Sequence, residues 1–103
     1  MIRVSVMYPR TEGESFDMDY YINKHMPLVK ERCGEALKGM SILEGLAGGQ
    51  PGEPPAYVCV GSLNFDSVEA FQGAFGPHMG EIMGDIPNYT DIQPVIQFNE
   101  TVG

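Results

Sequence analysis

The stretch from Phe16 to Val29, F-D-M-D-Y-Y-I-N-K-H-M-P-L-V, holds the side chain best suited to chemistry, His25. It follows Tyr21 by four residues, one helical turn, and stands two before Pro27. Imidazole alone has an ordinary pKa close to neutral pH, and a general acid or base works best when its pKa is near the working pH. Two effects oppose each other at this position. Burial lowers an imidazole pKa, while a helix end at Pro27 raises it. A structural role also fits the spacing, with His25 donating to a backbone carbonyl that Pro27 leaves free.

Tyr20, Tyr21 and Tyr89 carry hydroxyls on apolar bodies. A buried tyrosine hydroxyl usually finds a partner, so these are substrate-placing candidates as well as core residues. Asp85 and Asn88 stand in D-I-P-N-Y-T-D. Asp85 has the chemistry to orient a histidine, although Asp and Asn also serve turns. His78, in G-P-H-M-G-E, is a further candidate for the lining of a pocket. Two histidines with neither neighbouring cysteines nor a third ligand form no metal signature. Gly48-Gly49 is a turn and not a phosphate cradle. No metal or cofactor is therefore expected. Cys59 falls mid-strand, where a buried inert thiol is the ordinary case. The seven methionines suit an irregular apolar cavity, since methionine adapts its shape.

The elements that must position these residues follow from periodicity. Ile2, Val4, Val6 and Tyr8 alternate with Arg3, Ser5 and Met7, which predicts a strand. Ser15 or Asp17 caps the helix that follows. Pro27 predicts a kink or break at Met26, a second helical piece to about Arg32, and an end at Cys33-Gly34. Strands are predicted over 40–47, 56–65 and 93–101. The breaker-rich G-G-Q-P-G-E-P-P at 48–55 separates the first two of these. Asp66 and Glu69 form a D-x-x-E capping pattern before the helix carrying Val68, Phe71 and Phe75. The order β-α-β-β-α-β is the ferredoxin-like unit, an α+β fold with helices on one face of an antiparallel sheet. The third strand reads as apolar on both faces, so a second subunit is expected to cover the face without helices. Two sheets packed face to face predict a barrel-like homodimer.

The 103 residues make one domain, 1–103, which buries roughly 65% of its unfolded surface. The net charge of −8 argues against nucleic acid, because little here neutralises phosphates, and against anionic membrane surfaces. No apolar run is long enough to span a bilayer, and the first ten residues read as a strand and not as a signal peptide. Two cysteines without a C-x-x-C spacing suit free thiols in a reducing cytoplasm.

The chain resembles the EthD family, named for a protein of ethyl tert-butyl ether degradation. The resemblance rests on the segment 16–29, on L-x-G-L-A-G-G-Q-P-G-E-P-P at 43–55, on F-D-S-V-E-A-F at 65–71 and on I-P-N-Y-T-D-I-Q-P at 86–94. It extends from Ile2 to about Glu100 and implies a dimeric α/β barrel. The barrel hosts oxygenases, isomerases, cyclases, dehydratases and plain binding proteins, so the fold names no reaction. Two classes of function stay open. One is a cofactor-free enzyme acting on an apolar or aromatic oxygenated metabolite, with His25 moving the proton and Tyr20, Tyr21 and His78 placing the substrate. The other is a non-catalytic binding or carrier protein that uses the same pocket.

Overall fold

The computed structural model describes residues 1–103. β1 (Ile2–Pro9) is followed by a helical stretch. It comprises a first α-helical turn, α1 (Met18–Tyr20), a π-helical turn (Tyr21–His25) and α2 (Met26–Cys33). β2 (Gly39–Glu44) and β3 (Tyr57–Phe65) come next, then α3 (Val68–Phe75), a 3-10 turn (Gly76–His78) and α4 (Met79–Gly84). A 3-10 turn (Ile86–Asn88) leads to β4 (Val95–Glu100). The strands form one antiparallel sheet in the order β2-β3-β1-β4. This is the ferredoxin-like β-α-β-β-α-β topology.

One expectation is overturned here. The sheet is open, and β2 and β4 are both free edges, so the fold is not an α/β barrel. The reason is geometric. Closure requires tilted, staggered strands whose first and last members meet, and about eight strands are needed to enclose packed side chains. Four strands in this order leave β2 and β4 on opposite sides of the sheet.

Alternation along β1 and β3 sends Val4, Tyr8, Cys59, Leu63 and Phe65 to one face, where all are buried. Met26, Val29 and Cys33 of α2, Phe71 and Phe75 of α3, and Ile82 of α4 complete the core from the helical layer. The helices do not extend over β4. Its inward residues Ile96 and Phe98 stay 43% and 46% exposed, although Phe98 meets the edge of the Phe71 ring. The opposite face is graded along the strands. Leu43, Val60, Met7 and Val95 align as an apolar row across all four strands. The next row is Ser41, Ser62, Ser5 and Gln97, and beyond it Arg3 bonds Asn64 while Asn99 bonds Ser5. The third strand is thus apolar on its outer face only near its start.

Of the two helix starts, the first agrees with the sequence reading and the second differs from it. Asp17 caps the first helix and accepts from the Tyr20 N–H at 3.1 Å. The cap of α3 is Ser67, whose Oγ accepts from the Ala70 N–H at 3.0 Å, and not Asp66. Ser67 is the residue with extended backbone immediately before the first helical residue, the geometry that a cap requires.

Candidate functional site

Pro27 does not end the helix: His25 and Met26 keep right-handed helical angles, and the helix changes type at Met26, where a second piece was expected. The proline sits in the first turn of α2, where its missing N–H leaves no bond unmade. The strain it would impose on the preceding turn is absorbed by widening: the Met26 N–H reaches the Tyr21 carbonyl, five residues back. The extra residue in that turn changes which side chains face inward. Tyr21, His25, Met26 and Val29 all turn to the sheet.

His25 is 4% exposed. Its Nδ1 lies 3.0 Å from Asp85 Oδ2. The other carboxylate oxygen accepts from Tyr20 Oη at 2.7 Å and from Asn88 Nδ2 at 2.9 Å. Burial pushes the Asp85 carboxyl upward, but the hydrogen bonds from Asn88, Tyr20 and His25 outweigh it and hold Asp85 below its ordinary value. Asp85 is therefore ionised near neutral pH and can only accept. The proton of neutral His25 consequently resides on Nδ1, and Nε2 carries a lone pair. Burial lowers the His25 pKa, more than the neighbouring Asp85 raises it. The bond to Asp85 raises the pKa of the Tyr20 phenol. Nε2 has no partner in the protein, yet no fully sealed side-chain polar atom is left unpaired. Nε2 therefore keeps open surface, and His25 lines a cavity.

That cavity, about 340 Å³, lies between the sheet and the helical layer. Fifteen of its 17 lining residues are hydrophobic, and none is lysine or arginine. Met26, Met79 and Met83 contribute to it, and its mouth lies where Ile96, Phe98 and Met79 are exposed. Tyr21 stacks on the His25 ring, with centroids 5.5 Å apart and planes 17° apart. The Tyr21 hydroxyl lies against Gly61, where any β-carbon would collide with it. Tyr8 and Tyr89 share a 2.6 Å hydrogen bond between their hydroxyls, and Tyr89 tilts against His25 at 4.6 Å. Burial pushes Tyr8 up to about 12 and raises Tyr21 and Tyr89 as well, so all three phenols remain protonated.

The sequence profile of the EthD domain matches residues 10–93. The chain belongs to the EthD family. An EthD-like protein from Ralstonia eutropha JMP134 is 50% identical, with a TM-score of 0.95 over 99% of this chain and 92% of that one. An ethyl tert-butyl ether degradation family protein from Bacillus halodurans C-125 is 20% identical, with a TM-score of 0.68 and 99% of each chain covered. A protein from Arabidopsis thaliana shares the fold at 10% identity, with a TM-score of 0.71 over 100% of this chain and 97% of that one. No curated protein matches.

Within this EthD domain, four of the residues singled out from sequence, His25, Asp85, Tyr20 and Asn88, meet in one hydrogen-bonded group. Tyr21 and Tyr89 pack on the imidazole. His78 stands apart, at the end of the Gly76–His78 turn near Glu81 and outside the cavity lining. Tyr8 and Gly61 belong to the site and were missed. Tyr8 shares the inward phase of Val4 and Val6, and an isolated glycine inside an apolar strand signals close approach by another group.

Proposed function

We propose that this EthD-family small-molecule-binding protein is a cofactor-free enzyme that moves a proton on an apolar or aromatic oxygenated ligand. The observation that carries the reading is the arrangement of His25. Its Nδ1 is fixed by an ionised carboxylate, and its Nε2 lone pair opens into an apolar cavity. In this mechanism Nε2 takes a proton from an O–H or an acidic C–H of the ligand. The imidazolium so formed is balanced by Asp85 at 3.0 Å. Tyr20 and Asn88 hold that carboxylate, Tyr21 and Tyr89 pack on the imidazole ring, and Tyr21 lines the cavity. A positioned general base of this kind contributes about 10²–10⁴-fold. The size of the cavity supports a ligand role. A space that large and apolar is understood more readily as a binding site than as a packing defect.

The test is deuterium uptake at the C1 carbon of β-naphthol, which exchanges once its O–H proton is taken, followed by proton NMR in D₂O. The expected result is protein-accelerated exchange that His25→Gln abolishes while the thermal midpoint is retained. Binding without exchange would replace the enzyme with the carrier. We further propose that the protein is a homodimer in which a second copy covers the apolar row Leu43, Val60, Met7 and Val95. Sedimentation of wild type against Val60→Lys tests this, and a wild-type monomer refutes it. No helix is long and apolar enough to cross a membrane. Buried, unbridged Cys33 and Cys59 suit a reducing cytoplasm.

A further inference from the structure

We infer that the cavity selects an uncharged, flat ligand bearing a hydroxyl, which donates to His25 Nε2. This rests on reading His25 as the proton-accepting group of the cavity, and it narrows the ligand class. The argument runs from hydrogen-bond capacity. With Nδ1 committed to Asp85, Nε2 can only accept. A carbonyl, an ether or a carboxylate offers only acceptors and would leave Nε2 facing another lone pair. An unmet buried acceptor weakens binding by about 5- to 150-fold, and a hydroxyl removes that loss.

Tyr21 bounds the same space: its hydroxyl lies against Gly61, beside the Tyr8 hydroxyl and the Cys59 thiol, and its ring runs nearly parallel to the imidazole. A carboxylate or phosphate is excluded on a further ground. No cation lines the cavity, the one titratable nitrogen has a carboxylate behind it, and the chain carries a net charge of −8. Flatness follows from the walls. The His25, Tyr21, Phe71, Phe75 and Phe98 rings offer planar surfaces to an aromatic or alicyclic skeleton. At interior packing density, about 340 Å³ takes on the order of 15 non-hydrogen atoms.

Three probes of nearly equal size separate these requirements. β-Naphthol donates, β-methoxynaphthalene only accepts, and β-naphthoate is charged. Calorimetric titration of the wild-type protein near neutral pH is expected to favour naphthol over the methyl ether by at least about fivefold, the lower range of an unmet acceptor. Naphthoate is expected to bind more weakly than either. His25→Phe should erase the preference of naphthol over its ether. Where that variant does not fold, the wild-type series still decides. An ether or naphthoate that binds as tightly as naphthol overturns the inference, and so does failure of all three to bind. Naphthol selectivity without deuterium exchange at its C1 carbon would sustain the ligand class and remove catalysis. Exchange without selectivity would do the reverse.

Discussion

Gly61→Ala is expected to destabilise the protein through a single atom, the Tyr21 hydroxyl. Gly61 lies in β3 opposite Val6 and Ile42, and an added β-carbon would collide with Tyr21 Oη. The next atoms it would meet are Tyr21 Cζ at 3.4 Å and Met26 Cε at 3.6 Å, both at ordinary contact distance. Gly61 does not have the positive φ that only glycine tolerates, so alanine brings no backbone strain. In a strand interior alanine gains about 0.5–1 kcal/mol over glycine. Overpacking in a filled site costs about 1–3 kcal/mol. The net loss is about 1–2 kcal/mol, or roughly 5–15 °C in the thermal midpoint of a domain this size. Tyr21→Phe removes the obstructing oxygen and with it the contacts to the Tyr8 hydroxyl and the Cys59 thiol, a change that alone costs about 1 kcal/mol. In the Tyr21→Phe background, Gly61→Ala should be neutral or stabilising, a coupling of about 1–3 kcal/mol. Urea unfolding of the four proteins, followed by far-ultraviolet circular dichroism, measures it. Simply additive losses would refute the account, since they would place the cost somewhere other than the hydroxyl.

Asp85→Asn removes the charge that raises the His25 pKa, so that pKa should fall further and proton transfer should slow by about 10²-fold or more. An NMR titration in which the imidazole pKa rises would contradict this. The pH dependence of stability has a definite sign. The folded pKa of His25 lies below its unfolded value, so its contribution is complete above about pH 6.5 and is lost as pH falls through the folded pKa. Asp85, also depressed, adds a second loss below about pH 4. Thermal midpoints measured from pH 8 down to 3 should decline in both windows, and His25→Gln should flatten the upper one. A midpoint that climbs on acidification from pH 6.5 would sink the argument. Ser67→Ala should cost about 1 kcal/mol through loss of the α3 cap, whereas Asp66→Asn should change stability by less than about 0.5 kcal/mol. Equal losses in urea unfolding would return the cap to Asp66.

The strands and helices were legible because their apolar spacing is regular. Period two in Ile2–Val4–Val6–Tyr8 and the Val68–Phe71–Phe75 spacing reappear as β1 and α3. What escaped depends on geometry that spacing does not encode. A proline in a helical pattern signals a disturbance, but widening and breaking carry the same residue pattern. The α3 cap shifted by one residue because Asp66 and Ser67 both have the chemistry, and only the backbone angle separates them. The barrel was expected because the run Tyr57–Val60 suggested two apolar faces, but the four-stranded sheet has free edges and does not close, and Ser62 and Asn64 make the second half of its outer face polar. At the site, Asp85 was readable as a histidine's orienter by type alone. Its distance from His25 along the chain left its partnership to the fold.

The two members of that partnership share a local device. His25-Met26-Pro27 and Asp85-Ile86-Pro87 each place the functional residue two positions before a proline. In both, that residue is the N-cap of the helical turn that follows, and proline sits in the first turn, where its missing N–H leaves no bond unmade. N-cap side chains ordinarily turn back to accept from the backbone, and here neither does so. Both caps also have helical backbone angles, φ −70° and ψ −54° at His25 and φ −80° and ψ −17° at Asp85. Each preceding segment therefore runs directly into the next turn, and the imidazole and the carboxylate are left free to meet. The prolines hold the turns in shape, the π-helical turn brings His25 inward, and the bridge of Phe16 to Thr90 ties the two segments together at their far ends. A proton-transfer pair needs little motion and a fixed tautomer. Two short, proline-braced turns supply both without drawing on the sheet, which leaves the inner face of the sheet to form the apolar wall of the cavity.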